Sequence, residues 1–269
     1  MRVTDYPKPV RALFALGEPE DPWINYWSLD IVSDHVPDLL RILDAAQGLA
    51  ARRGPAFWAP VHAWRALAQM ATPDAVGPLL RLIRQNDEVD DWMLEELPHV
   101  FGMLGAPALP GVASYLAEPG LDVDRALLIS HAVMEIGVRN PRERDGCVAV
   151  LTGRLEKAEE YEPTVNAAII LALLGLGAVE AEPLIERAYA LGRVDETGVG
   201  GLEQVRAFLR GDEDAFLALP ELVALTMQEL AGKGILPPAP KAAPASRGKR
   251  TAKARKKPVR EAKKDRERR

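Results

Sequence analysis

His99 and His131 are the residues whose types and spacing come nearest to chemistry in this 269-residue chain. Glu95 and Glu96 precede His99 by about one helical turn, and Glu135 follows His131 by one turn, so on helices each histidine shares a face with a carboxylate. Two imidazoles and nearby carboxylates are ligands for iron or zinc. Neighbouring helices run about 8–10 Å apart, which brings a shared site within reach without forcing one. An enzyme or metal protein using His99, His131 and Glu135 is therefore one reading; histidines with a structural or surface role are the ordinary one, and no cofactor or catalytic residue is assigned. Cys147 is the sole cysteine, which excludes a disulfide framework or a cysteine-rich zinc site within one chain. It lacks an adjacent histidine, although Arg142 and Arg144 are near, and core packing is its expected role. The sequence holds no Gly-rich phosphate loop, no Gly-x-Ser-x-Gly elbow and no His-Glu-x-x-His motif.

Charge supplies the second kind of chemistry. Residues 237–269 carry 14 Lys/Arg and 3 Asp/Glu, a net of +11 in a chain of net −5, which leaves −16 on the other 236 residues. This is the signature of an acidic folded body with a separate basic interaction tail. Lys249, Arg250, Arg255, Lys256, Lys257, Lys263 and Lys264 are the candidate phosphate contacts, because clustered cations bind nucleic acid by releasing its counterions. The tail has almost no aromatic residue for base stacking, so any such binding is expected to be non-specific. An anionic membrane surface is a weaker target, since the tail has no apolar anchor. A solubilising extension without a partner is the plain alternative. On the body, Asp87, Asp90, Asp91, Asp122 and Asp124 are the candidate acidic ridge, a docking edge for a basic partner or for the chain's own tail. Carboxylates also gather at helix N-termini as caps and through the macrodipole, which accounts for the same residues without a partner.

The five tryptophans, Trp23, Trp27, Trp58, Trp64 and Trp92, concentrate in the first third. Aromatic residues dominate binding hot spots, so a ligand groove is conceivable there; filling an irregular terminal core is their ordinary use.

The elements that would position these groups recur along the chain. Trp64–Met70, Pro98–Gly105, His131–Gly137 and Ile169–Gly175 carry one helical pattern, and Met70, Leu104, Ile136 and Leu174 stand 34, 32 and 38 residues apart. A period of that size with two helices per unit predicts an α-solenoid. Pro22 is expected to open a helix with Trp23, Tyr26 and Trp27 on one face, and Ser33 to cap the next helix, through Leu39 and Leu43. Regular pairs follow: a helix through Val61 and Met70 and one from Val76 to Ile83; one from Asp91 to Leu104, stopped by Gly105, and one through Leu109 and Leu116; one through Leu127 and Ile136, broken at Gly137 and Asn140-Pro141, and one from Cys147 to Leu151; one through Val165 and Leu174 and one through Leu184 and Tyr189. Gly198, Gly200 and Gly201 are expected to form a flexible joint before a capping unit. The expected organisation is an irregular helical cap over 1–57, repeats over 58–195, a helical cap over 196–236 and a disordered Lys/Arg-rich tail over 237–269. Sustained alternation is missing, so β-structure should be minor.

The Leu-Gly or Ile-Gly helix endings, the Asp or Pro turns and the apolar return helices resemble HEAT-type repeats, including the bilin-lyase-like subset, over roughly half of the chain. There is a fainter resemblance to bacterial proteins of unknown function in which helical repeats precede a cysteine-rich zinc motif, a module that the single Cys147 cannot form. The HEAT resemblance implies a right-handed all-α solenoid of antiparallel helix pairs that recognises proteins. HEAT-type metal-dependent hydroxylases resemble one another through His-Glu dipeptides; here the dipeptides are His35-Val36, His62-Ala63, His99-Val100 and His131-Ala132. HEAT-like DNA glycosylases need a positive groove, which a −16 body opposes. The expected function is thus a non-enzymatic cytoplasmic scaffold that binds a protein partner, with a tail for polyanions. A metal-dependent or DNA-acting enzyme and a purely structural module of a larger assembly are the alternatives. No transmembrane segment or signal peptide is expected.

Overall fold

The structure is a computed structural model that describes residues 2–50 and 54–211. All of these belong to one unit, Met1–Ala239. The described residues form helices and turns with no strand: α1 (Lys8–Arg11), α2 (Val36–Asp44), α3 (Ala46–Ala50), α4 (Ala59–Gln69), α5 (Val76–Gln85), α6 (Asp91–Leu104), α7 (Leu109–Leu116), α8 (Val123–Arg139), α9 (Arg144–Leu155), α10 (Pro163–Gly175), α11 (Glu182–Ala190), α12 (Glu196–Val199) and α13 (Leu202–Leu209). None of them is long and apolar enough to cross a membrane.

Two rows of helices pack on each other. In one row α4 meets α6, α6 meets α8, α8 meets α10 and α10 meets α12; in the other α2, α5, α7, α9, α11 and α13 follow in order. Helices of the second row carry an apolar stripe, such as Leu79, Leu80, Leu82 and Ile83 on α5, that is buried only when its neighbours are in place, whereas α4 and α10 are buried nearly all round. Several side-chain bonds between neighbouring helix pairs span 31 to 40 residues. Trp64 reaches Glu96 and Arg65 reaches Glu96, 32 and 31 residues on; Arg84 reaches Glu118 across 34 and Arg139 reaches His99 across 40. Loops are tied by arginines that donate to main-chain carbonyls of a neighbouring unit: Arg125 to Asn86, Arg144 to Leu176 and Gly177 at 3.0 Å each, and Arg193 to Glu159 at 3.2 Å.

Local chemistry sets the helix ends. Asp90 caps α6 by accepting from Met93 N at 2.8 Å, and Asp122 caps α8 by accepting from Arg125 N at 2.9 Å. Gly105 closes α6 at φ +72°, a conformation that suits glycine.

Several sequence expectations are corrected. Pro22 does not open a helix. Trp23 lies in a loop, and only one 3-10 turn forms, Tyr26–Leu29. Asn25 accepts from Trp27 N at 3.0 Å, an Asx arrangement that competes with helix propagation. Tyr26 is buried and Trp27 is 46% exposed, so they share no face. Ser33 is not the cap of α2; it begins a 3-10 turn, and α2 starts at Val36 with Pro37 in its first turn, where the missing N–H costs nothing. Gly137 does not break α8, which continues to Arg139. A Cβ there would lie 2.7 Å from Leu176 Cδ2 and 3.1 Å from Cys147 Cβ, so the glycine permits close packing. Gly198 belongs to α12, and Tyr189 donates to Gly200 O at 2.6 Å, so the expected joint is a bonded turn packed on α10.

Candidate functional site

α4 is buried along Ala59–Ala68, including His62 and Arg65. The N-terminal segment covers it through directed bonds. Tyr26 Oη lies 2.7 Å from His62 Nδ1, and His62 Nε2 lies 2.9 Å from Gly17 O, which fits a proton on Nε2. Gln69 Nε2 donates to Ile24 O at 2.8 Å, and Arg65 Nη1 donates to Glu20 O at 2.8 Å. These contacts hold the Asp21–Ile24 loop over α4 and α6.

The loop and the two helices beyond it enclose a cleft of about 590 Å³. Trp23 and Trp92 are its aromatic residues, exposed Asp21, Asp91 and Glu95 and buried Glu96 supply carboxylates, and Leu94, His99, Leu127 and His131 complete the lining. A smaller hollow of about 100 Å³ shares Leu94, Leu127 and His131 with it and adds Met134 and Leu171.

Two buried carboxylates beside the cleft have internal partners. Glu96 takes Arg65 Nε at 3.0 Å on each oxygen, a further bond from Arg65 Nη2, and Trp64 Nε1 at 2.7 Å. The Arg65 guanidinium stands 4.9 Å from the Trp23 ring centre, a cation–π contact. Glu135 accepts from Arg139 Nε at 2.7 Å and lies 3.4 Å from His99 Nδ1 and 3.9 Å from His131 Nε2. Burial by itself would raise the Glu135 pKa, but His99, Arg139 and His131 outweigh it and hold the group at about 2. Gly102 makes room for this cluster, since a Cβ there would meet Glu135 Cβ and Arg139 Cδ at 2.9 Å.

The structure thus brings His99, His131 and Glu135 together, around a carboxylate that Arg139 also engages. Among the described residues no group of three or more His, Cys, Asp or Glu has the geometry to hold a metal ion. Of the acidic-ridge candidates, Asp87, Asp90, Asp91, Asp122 and Asp124 are all exposed, but only Asp91 reaches the cleft. Asp90 and Asp122 are helix caps, and Arg125 pairs with Asp122 while reaching the carbonyls of Asn86 and Asp87. The ridge therefore contains a cation. Trp64 is core, whereas Trp23 and Trp92 line the groove. Cys147 is fully buried, and burial pushes its thiol up to about 11, which suits packing. Lys249, Arg250, Arg255, Lys256, Lys257, Lys263 and Lys264 lie outside the described residues.

Sequence reasoning missed Arg65, Asp21 and the pairing of Arg65 with Glu96. A charged residue inside the apolar run Ala63–Ala68, one repeat away from an opposite charge, was the available signal. Compared with family models, with characterised proteins and with solved structures, the chain finds no match.

Proposed function

We propose that this chain is a non-enzymatic scaffold, a right-handed HEAT-type α-solenoid whose aromatic and acidic cleft binds a basic segment of a cytoplasmic protein partner. The recurrence of inter-unit bonds at 31 to 40 residues supports the repeat reading. The cleft is the observation that carries the binding reading. The buried carboxylates Glu96 and Glu135 already have cations and Asp21 lies 3.9 Å from Arg65, so Asp91 and Glu95 on the exposed rim remain to attract a Lys or Arg side chain. Trp23 and Trp92 add aromatic surface, which favours a cation and its aliphatic stem. The adjoining hollow around Leu94, Met134 and Leu171 suits an apolar neighbour of that cation. Residues 237–269 provide non-specific contact with nucleic acid or another polyanion in this reading.

Tryptophan fluorescence of the full chain, titrated with a Lys/Arg-rich peptide, tests the cleft. A saturable, salt-sensitive change is expected. Trp92→Ala, or Asp91→Asn combined with Glu95→Gln, should weaken it about tenfold or more. Equal binding by these variants would remove the cleft from the function. For the tail, exchanging Lys256, Lys257, Lys263 and Lys264 for Gln should lower nucleic-acid affinity and flatten its salt dependence; unchanged binding would remove that role.

A further inference from the structure

A second cleft, of about 280 Å³, lies between the other row's helices α7 and α9, away from the tryptophans. Leu116, Ala117 and Val150 form apolar walls, and Arg154, Lys157 and Tyr161 supply its polar groups. Among the described residues no carboxylate lines it.

Arg154 is the unusual member. It is 5% exposed, yet among the described residues no carboxylate lies within ion-pairing distance of it, and its Nε finds no hydrogen-bond partner. Its Nη2 donates to Glu118 O at 3.4 Å, a long bond, and its guanidinium stands 3.2 Å from the Tyr161 ring centre. Burial pulls its pKa below the ordinary arginine value, with Tyr161 and the exposed Glu160 opposing that shift. Arg84, by contrast, sits over Tyr115 and also pairs with Glu118. A buried cation without a counter-charge is costly, and an unsatisfied donor in such a place calls for a partner. The carbonyl end of α9 disfavours an anion nearby, and Lys157 supplies the second positive charge that offsets it.

We propose that this cleft binds a small oxyanion, a carboxylate or phosphate carried on a short apolar group, with Arg154 and Lys157 as its cationic ligands. The guanidinium donors not engaged with Glu118 suit either oxyanion, and Leu116, Ala117 and Val150 cover the apolar part. This site is independent of the tryptophan cleft and of its proposed partner.

Two probes, butyrate and inorganic phosphate, test it on the full ¹⁵N-labelled chain at constant ionic strength set with chloride. The Arg154 Nε–H resonance should shift and saturate with at least one probe. Preference for butyrate assigns organic carboxylates, and preference for phosphate assigns phosphate esters. Lys157→Gln should weaken binding about fivefold. Gly153→Leu should abolish it by filling the cleft. A Cβ at Gly153 meets no atom within 4 Å, and replacing a glycine in the last turn of α9 favours the helix, so this variant should fold. Arg154→Met should also abolish binding. The proposal is overturned by a flat Arg154 signal, by the same shift in chloride alone, or by binding that survives Gly153→Leu.

Discussion

Arg65 and Arg154 are both withdrawn from solvent, at 1% and 5% exposure, and both stack on an aromatic ring, yet their surroundings differ in kind. Arg65 has a carboxylate of its own, fixed from two directions by Trp64 and by the helix that carries Glu96. Arg154 has a long bond to a carbonyl and an unpartnered Nε. A buried charge whose partner is built in contributes to the architecture. One whose partner is missing marks a place where something from outside belongs. The first holds the tryptophan cleft together, and the second opens onto a cleft of its own.

Breaking the first pair should produce the largest effect. Glu96→Ala strands the Arg65 cation and should cost about 3–5 kcal/mol in denaturant unfolding. A loss below about 1 kcal/mol would mean that Arg65 is compensated elsewhere, and the contrast with Arg154 would collapse. Acid titration probes the neighbouring buried carboxylate, which also has built-in partners. The Glu135 pKa is held at about 2, against 4.5 for the ordinary group. As pH falls, the unfolded chain binds the proton first. Stability present above pH 4.5 is therefore lost progressively toward pH 2, by about 3 kcal/mol in total. Comparing unfolding midpoints of the wild type and Glu135→Gln over that window checks it, and parallel curves would refute it.

His62 gives a smaller effect at higher pH. Burial lowers its pKa below 6.5, with the Gly17 bond opposing that shift. The unfolded histidine therefore takes up a proton before the folded one. Stability should decline as pH falls from about 6.5 to the folded value, and a His62→Gln variant should lack this slope. Arg154→Met should have the smallest effect, within about 1 kcal/mol of neutral or stabilising, because it removes an uncompensated buried cation while keeping an apolar stem. A loss comparable to that of Glu96→Ala would show that Arg154 is structurally paired after all.

The helices from α4 to α10 were legible because apolar spacing and end chemistry agree. Asp91, Leu97, Phe101 and Leu104 read as a helix closed by Gly105, and α6 runs over those residues. Val76 likewise stood at the head of the preceding helix, and α5 begins there. The first 35 residues were harder, because their course depends on bonds to α4 that lie 36 to 45 residues away. Local preference at Pro22 and Ser33 carries no trace of those bonds. Of the candidate site, Trp23, Trp92, His99, His131 and Asp91 were all singled out, but their convergence required a tertiary fold. Arg154 and Tyr161 gave no signal, since a loop turn brings them together and neither stands out in a chain with many arginines.

The arginines that join neighbouring helix pairs through carbonyls have a consequence for how this surface can change. Every residue type carries a main-chain carbonyl. Arg125 at Asn86, Arg144 at Leu176 and Gly177, and Arg193 at Glu159 therefore depend on where those residues lie and not on what their side chains are. A loop side chain can be exchanged while the joint beneath it keeps its acceptor. The edge of the molecule is thus free to drift in charge and shape, and a new partner can be accommodated there without rebuilding the frame that presents it.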